Sequence, residues 1–434
     1  MTALSLKPKE LSVLRKKLKK ANQAFAKSYP GEMPARQPVH TVYGGAQIFT
    51  FDVAKKLSNA ALKSLDNFAP NANLLCNALG EKYGDGKLWN IIFDRMKEKL
   101  KKEAVEDFRI DFEDGYGNRP DKEEDGHAEL AANNVIKGMK ENSLPPFIGI
   151  RIKPFNQERV ERSLRTLDIF ITTLIKKGKK IPENFVITLP KIQIVEQAIC
   201  FEAALTHLEK KLKLKNKTLK CELMVETPQS IIGPDGNAPL RSFVNAMKGR
   251  CTGAHFGTYD YTAGVNITAN YQSMMNPVCD FAKSVMQVSL AQTPVFLSDG
   301  ATNIMPVGGH QSVHAAWKLS YQHIRHSLST GYYQGWDLHP AQLPIRYTAM
   351  YAFFLESFEA TSERLKSFIE KAAQATLLGD VFDDAATGQG LLNYFIRGHS
   401  SGAINDSEIL KTGLTLEEFR ARSFLKILEN RKKL

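Results

Sequence analysis

The chain has 434 residues, 43% hydrophobic and 24% charged, the make-up of a folded globular protein, which excludes wholesale disorder. Lys and Arg number 58 against 46 Asp and Glu, a net +12. Residues 1–28 hold eight basic residues and one acid, and residues 420–434 hold six and one, so the two ends carry the whole surplus and no basic domain of the kind that covers a nucleic acid is indicated.

The five cysteines are scattered, with no Cys-x-x-Cys pair, which argues against a disulfide framework or a structural zinc site. The sequence shows no signal-peptide core and no apolar run of about 18 residues, so the expectation is a cytoplasmic protein without a membrane partner.

In chain order, the first expected element is a basic amphipathic helix at 10–26, within a segment 1–39. Eight short apolar or β-branched runs follow: 41–45 (TVYGG), 107–114 (DFRIDFED), 147–154 (FIGIRIKP), 185–191 (FVITLPK), 221–227 (CELMVET), 251–260 (CTGAHFGTYD), 294–299 (PVFLSD) and 335–340 (GWDLHP). Helix-like stretches separate them, for example 157–177, 195–214 and 310–328, and this alternation is the mark of βαβ units. Eight such units favour a closed (β/α)8 TIM barrel at 40–345 over an open sheet. The first interval is longer and carries two helical patterns, 53–69 and 88–104, which predicts an insertion after strand 1. Beyond the eighth strand, 343–378 reads as one long helix or a pair and 379–434 as short helices, giving a helical C-terminal extension at 346–434.

In such a barrel the reacting groups stand at the carboxyl ends of the strands. Period-two alternation puts Arg109, Asp111 and Glu113 on one face of the second strand and Phe108, Ile110 and Phe112 on the other. In the third strand Gly149, Arg151 and Lys153 share a face, setting cations one strand away from the carboxylates. Charges on an inner face are too costly to be filler unless paired or metal-bound; the alternative is a buried ion-pair network that only closes the barrel. Glu226 ends the fifth run and Asp260 the sixth. Two carboxylates on neighbouring strand ends, with no His or Cys beside them, are a donor set for a hard divalent ion, Mg2+ or Mn2+. His310, His314, His323 and His326 lie at helical spacing on a crossover helix and read as helix packing. A Schiff-base aldolase needs a lysine inside the barrel, and Lys153 or Lys191 could serve, but that would leave the carboxylate pair unexplained.

The succession Asp111-Phe112-Glu113-Asp114, Arg151-Ile152-Lys153, Leu189-Pro190-Lys191, Val225-Glu226-Thr227, Gly257-Thr258-Tyr259-Asp260 and Gly335-Trp336-Asp337-Leu338-His339-Pro340 resembles the citrate lyase β-subunit-like branch of the HpcH/HpaI aldolase superfamily. The resemblance implies a magnesium-dependent phosphoenolpyruvate/pyruvate-type TIM barrel that cleaves or forms a carbon–carbon bond next to a 2-oxo acid, in a homo-oligomer; several members take an acyl-CoA thioester as co-substrate, which leaves a CoA partner open here. It makes Glu226 and Asp260 the metal ligands and Arg151 the cation that holds a substrate carboxylate or thioester oxygen. Asp111, Glu113 and Asp114 orient Arg151 and metal-bound water. Lys153, where the family usually has Asn, and Lys191 join Arg151 in substrate binding. In the acyl-CoA-using members the C-terminal segment supplies an Asp to a neighbouring subunit's site, and Asp383 is the matching position here. The competing expectation is an accessory barrel subunit, without catalysis, that binds a partner through its basic termini.

Overall fold

The computed structural model describes residues 5–374 and 385–431. Each of the eight expected runs forms a strand: β1 (His40–Gly45), β2 (Asp107–Asp111), β3 (Phe147–Arg151), β4 (Phe185–Leu189), β5 (Lys220–Val225), β6 (Cys251–Phe256), β7 (Phe296–Ser298) and β8 (Gly335–Asp337). All pairings are parallel, in the order β7-β6-β5-β4-β3-β2-β1-β8. The seam closes just past β7, where the Asp299 N–H donates to the Gln334 carbonyl at 2.8 Å and the Trp336 N–H to the Gly300 carbonyl at 3.0 Å. The protein is therefore an α/β barrel of the TIM type, with additional helices.

The alternation seen in the sequence decides which side chains fill which layer. Phe108, Ile110, Ile148, Ile150, Ile187, Leu223, Val225, Ala254 and Phe256 are at most 2% exposed; this is the apolar layer that parallel strands bury beneath their helices. Phe170, on the crossover helix Val160–Gly178, packs on Phe112 and Phe185 with ring centroids 6.4 and 5.9 Å away. Burying each such aromatic contributes roughly 2–3 kcal/mol.

The insertion after β1 holds three helices where two were expected: Val53–Phe68, Ala72–Leu79 and Lys87–Glu103. The middle one is set by its ends. The Asn71 side chain accepts the Leu74 N–H at 3.0 Å, and Gly80 at φ +79° closes the helix in the left-handed region. After β8, where one long helix or a pair was expected, a pair forms, Leu343–Leu355 and Phe358–Gln374, followed by Ala385–Ser400, Asp406–Leu410, Leu416–Arg420 and Phe424–Arg431. An Arg95–Glu408 ion pair at 2.7 Å ties these last helices to the insertion. The basic helix Pro8–Ser28 buries none of its residues. No helix among the described residues is long and apolar enough to cross a membrane.

Candidate functional site

The carboxyl ends of β2 and β3 meet in a fork. Asp111, the last residue of β2, receives Arg151 Nε at 2.7 Å and Nη2 at 2.5 Å, one hydrogen bond to each oxygen. The same carboxylate accepts the backbone N–H groups of Glu113 at 3.0 Å and Gly115 at 2.7 Å. Asp111 thereby fixes both the guanidinium and the turn that carries the next two acids, a geometry available to arginine and denied to lysine. The remaining edge of Arg151 faces Glu113, with Nη1 3.1 Å from Oε2, and Asp114 at 3.6 Å. The Tyr43 ring covers the guanidinium at 4.9 Å. Burial pushes Glu113 up to about 7, against the pull of Arg151 and Lys191.

Lys191 follows the end of β4. Its Nζ donates to Glu113 and lies 3.3 Å from both Asp114 oxygens and 3.5 Å from Asp260 Oδ2. Its backbone N–H donates to Glu226 Oε1 at 2.8 Å. Glu226 stands one residue past β5 and is 2% exposed. Burial raises its pKa to about 8, with Asp260 and Glu113 adding to the rise and Lys191 opposing it. Asp260 sits in the first turn of the helix Thr258–Gly264 after β6, with its side chain 43% exposed. Gly257 lies between them. A Cβ there would fall 2.4 Å from Glu226 Cβ and 2.7 Å from Oε2, so the carboxylate occupies space that only glycine leaves free. Glu226, Asp260 and Lys191 line a cavity of about 270 Å³ that also touches Asn156, Gln193 and Gln229.

The structure thus brings together Asp111, Glu113, Asp114, Arg151, Lys191, Glu226 and Asp260. Five carboxylates there face two cations. Lys153 is not among them. β3 ends at Arg151, the alternation lapses, and the Lys153 ammonium turns to the Phe112 carbonyl at 2.6 Å and to Glu124 at 3.0 Å on the crossover helix Asp121–Glu141. Asp383 lies outside the described residues. The histidines of the helix His310–Ser329 are used in packing: His314 contacts the Phe68 carbonyl at 2.8 Å, His323 the Thr302 hydroxyl at 2.9 Å and His326 Asp280 at 2.8 Å. Among the described residues no group of three or more His, Cys, Asp or Glu is arranged to hold a metal ion.

A second charged layer, of which the sequence reading named only Arg109, lies deeper in the barrel. Arg109 forks onto Asp107 at 2.9 and 2.8 Å and reaches Glu222 at 2.7 Å. Glu222 also meets His255 Nε2 at 3.0 Å, while Trp336 Nε1 donates to His255 Nδ1 at 3.2 Å. The signal was present, since Glu222, Met224 and Glu226 alternate along one strand face, as do Gly253 and His255.

Residues 18–427 match the model of a family described as "Domain of unknown function (DUF6986)", and the chain belongs to that family. No curated protein matches the sequence. Among solved structures, the chain is similar to Haloferax volcanii malate synthase in a pyruvate/acetyl-CoA ternary complex, at 12% identity and TM-score 0.45 over 72% of this chain and 69% of that one. It is also similar to the same enzyme in its magnesium/glyoxylate complex, at 12% identity and TM-score 0.47 over 91% and 98%. A third is the citrate lyase beta subunit from M. tuberculosis complexed with oxaloacetate and magnesium, at 14% identity and TM-score 0.40 over 73% and 97%.

Proposed function

We propose that the chain is a magnesium-dependent carbon–carbon lyase or Claisen-type synthase acting on a 2-oxo acid or its acyl-CoA adduct, with its site at the mouth of a catalytic barrel spanning 40–345. The observation that carries this reading is the charge imbalance at the strand ends. Among the described residues Asp111, Glu113, Asp114, Glu226 and Asp260 gather around Arg151 and Lys191, a formal −3 when every acid is ionised; burial already pushes Glu113 up to about 7 and Glu226 to about 8, so these acids hold protons that a cation would replace. The donors fit a hard ion: Glu226 and Asp260 offer oxygen only, from adjacent strands, and leave other positions to water or substrate. Glu226 is already aimed, held by the Lys191 N–H on one oxygen and backed by Gly257 on the other.

Bound there, the ion would chelate the carboxylate and keto oxygen of a 2-oxo acid and offset the negative charge of its enolate. The protein's own residues do the rest. Asp111 locks the Arg151 guanidinium with its Nη1 edge on Glu113 and Asp114, a fixed positive charge beside the cleft that would offset charge developing on the substrate without reorganising. Glu113 sits between Arg151 and Lys191 and sets the separation of the two cations. Lys191 stands where it can take a substrate carboxylate.

The test is calorimetric titration of Mg2+ into the native chain and Glu226→Ala, with and without pyruvate, oxaloacetate or glyoxylate. Oxo-acid binding is expected to require both the metal and Glu226. Oxo-acid binding of equal strength in Glu226→Ala would remove this reading. A second reading, an accessory subunit held through the basic ends, draws on the helix Pro8–Ser28, which leaves Val13, Leu14, Leu18 and Phe25 more than half exposed. It predicts a stably coeluting partner that leaves when residues 1–28 are removed.

A further inference from the structure

Lys191 adopts φ +51°, a left-handed conformation that a residue with a Cβ takes at some cost. Two contacts come from it. The backbone N–H reaches Glu226, and the side chain doubles back among Glu113, Asp114 and Asp260. One residue from the end of β4 thereby gathers acids from the ends of β2, β5 and β6. Among the described residues, no other Lys, Arg or His nitrogen lies within 4.0 Å of the Asp260 carboxylate.

We propose that the Lys191 ammonium is a built-in counter-ion that keeps the acids together before a divalent ion arrives, and that the ion must displace it to bind. This inference rests on the reading of Glu226 and Asp260 as the metal's ligands. The reason is Coulombic. An ammonium 3.5 Å from Asp260 and hydrogen-bonded to Glu113 faces strong repulsion from a dication on Asp260 and Glu226, and a partly dehydrated cleft screens that repulsion poorly. The side chain is able to leave, because it is 26% exposed on the cavity side while its backbone contact to Glu226 does not depend on where Nζ goes. Once displaced, the ammonium is available to the carboxylate of an arriving oxo acid. Metal and substrate then favour each other's binding, because the substrate gives the expelled cation a new partner.

The experiment is calorimetric titration of Mg2+ into the full chain as wild type, Lys191→Gln and Lys191→Arg, each with and without pyruvate, with Mn2+ paramagnetic resonance as an independent count of bound ion. Lys191→Gln is expected to bind Mg2+ about tenfold or more tightly than wild type in the absence of pyruvate, and Lys191→Arg to bind as weakly as wild type. Pyruvate should tighten Mg2+ binding in the wild type and do so less in Lys191→Gln. Circular dichroism melting confirms folding, and Lys191→Met replaces the glutamine variant if that one is unfolded. Equal or weaker Mg2+ binding by a folded Lys191→Gln overturns the displacement and leaves the metal reading standing. No bound ion in any variant by either method overturns both.

Discussion

Replacing Gly257 by alanine tests whether the Glu226 carboxylate is held rigidly. The new Cβ would lie 2.4 Å from Glu226 Cβ, where carbon atoms need about 3.5 Å or more, so one of them must give by about 1 Å. The backbone at 257 cannot yield freely, because its N–H donates to the Val225 carbonyl at 3.0 Å. Glu226 is anchored in turn by the Lys191 N–H at 2.8 Å. Overpacking of this kind costs about 1–3 kcal/mol, and swinging the carboxylate out of line should weaken Mg2+ binding by roughly 10- to 100-fold. Gly126→Ala provides the contrast. It lies in the helix Asp121–Glu141 with nothing within 4 Å of its would-be Cβ, and the substitution should stabilise by about 0.5–1 kcal/mol through helix propensity alone. Urea unfolding measures both stabilities and calorimetry the ion. Should Gly257→Ala match the wild type in stability and Mg2+ affinity, the carboxylate is not confined as argued.

Two further outcomes follow from buried charges away from the mouth. Arg250, fully buried, forks onto Glu209 at 2.7 and 2.8 Å and reaches Glu202 at 3.2 Å; Arg250→Met takes from Glu209 its cation, while Glu202 keeps Lys248 at 2.7 Å, and should lose about 3 kcal/mol in urea unfolding with oxo-acid binding intact, and a loss below 1 kcal/mol would contradict the assignment. Burial holds the His323 imidazole down to about 4 against an ordinary 6.5. The unfolded chain therefore takes the proton first, and the stability from this residue, whole above pH 6.5, is lost as the pH falls toward 4. The stability advantage of wild type over His323→Gln should shrink by about 3 kcal/mol between pH 7 and pH 4, and a difference independent of pH would show that His323 titrates normally.

The barrel was legible because parallel strands buried on both faces write themselves as short β-branched runs, and all eight runs recur as strands. Side-chain direction was legible only as far as the strand persists. Arg109 and Asp111 fall on the inner face as alternation requires, whereas Lys153 lies two residues beyond the end of β3 and its direction is set by Glu124 across a helix. The short helix Ala72–Leu79 escaped notice because eight residues show too few turns for a periodicity, although Asn71 and Gly80 were cap signals in plain view. The approach of Lys191 to three strand ends was invisible, since a left-handed lysine is a tertiary outcome that no local pattern announces.

Whether the inner charges serve structure or chemistry is answered by how the acids of each layer are partnered. In the deep layer each carboxylate is held by hydrogen-bond donors: Asp107 takes Arg109 and the Thr41 hydroxyl, and Glu222 takes Arg109, His255 Nε2 and the Thr188 hydroxyl. That layer is the ion-pair network that closes a barrel, and its loss would register as instability. Only one turn of strand higher, the acids outnumber the cations five to two, Asp114 and Asp260 open to solvent at 59% and 43%, and Glu226 lies buried at 2% beside them. A fold gains nothing from concentrating like charge where it is partly dehydrated, and strain of this kind persists where it is relieved by something that binds. The two layers share strands β2, β5 and β6, so the same alternation that builds the closed layer also aims the open one. The scaffold and the site differ in closure: the lower acids are buried with donors on them, and two of the upper acids open to solvent.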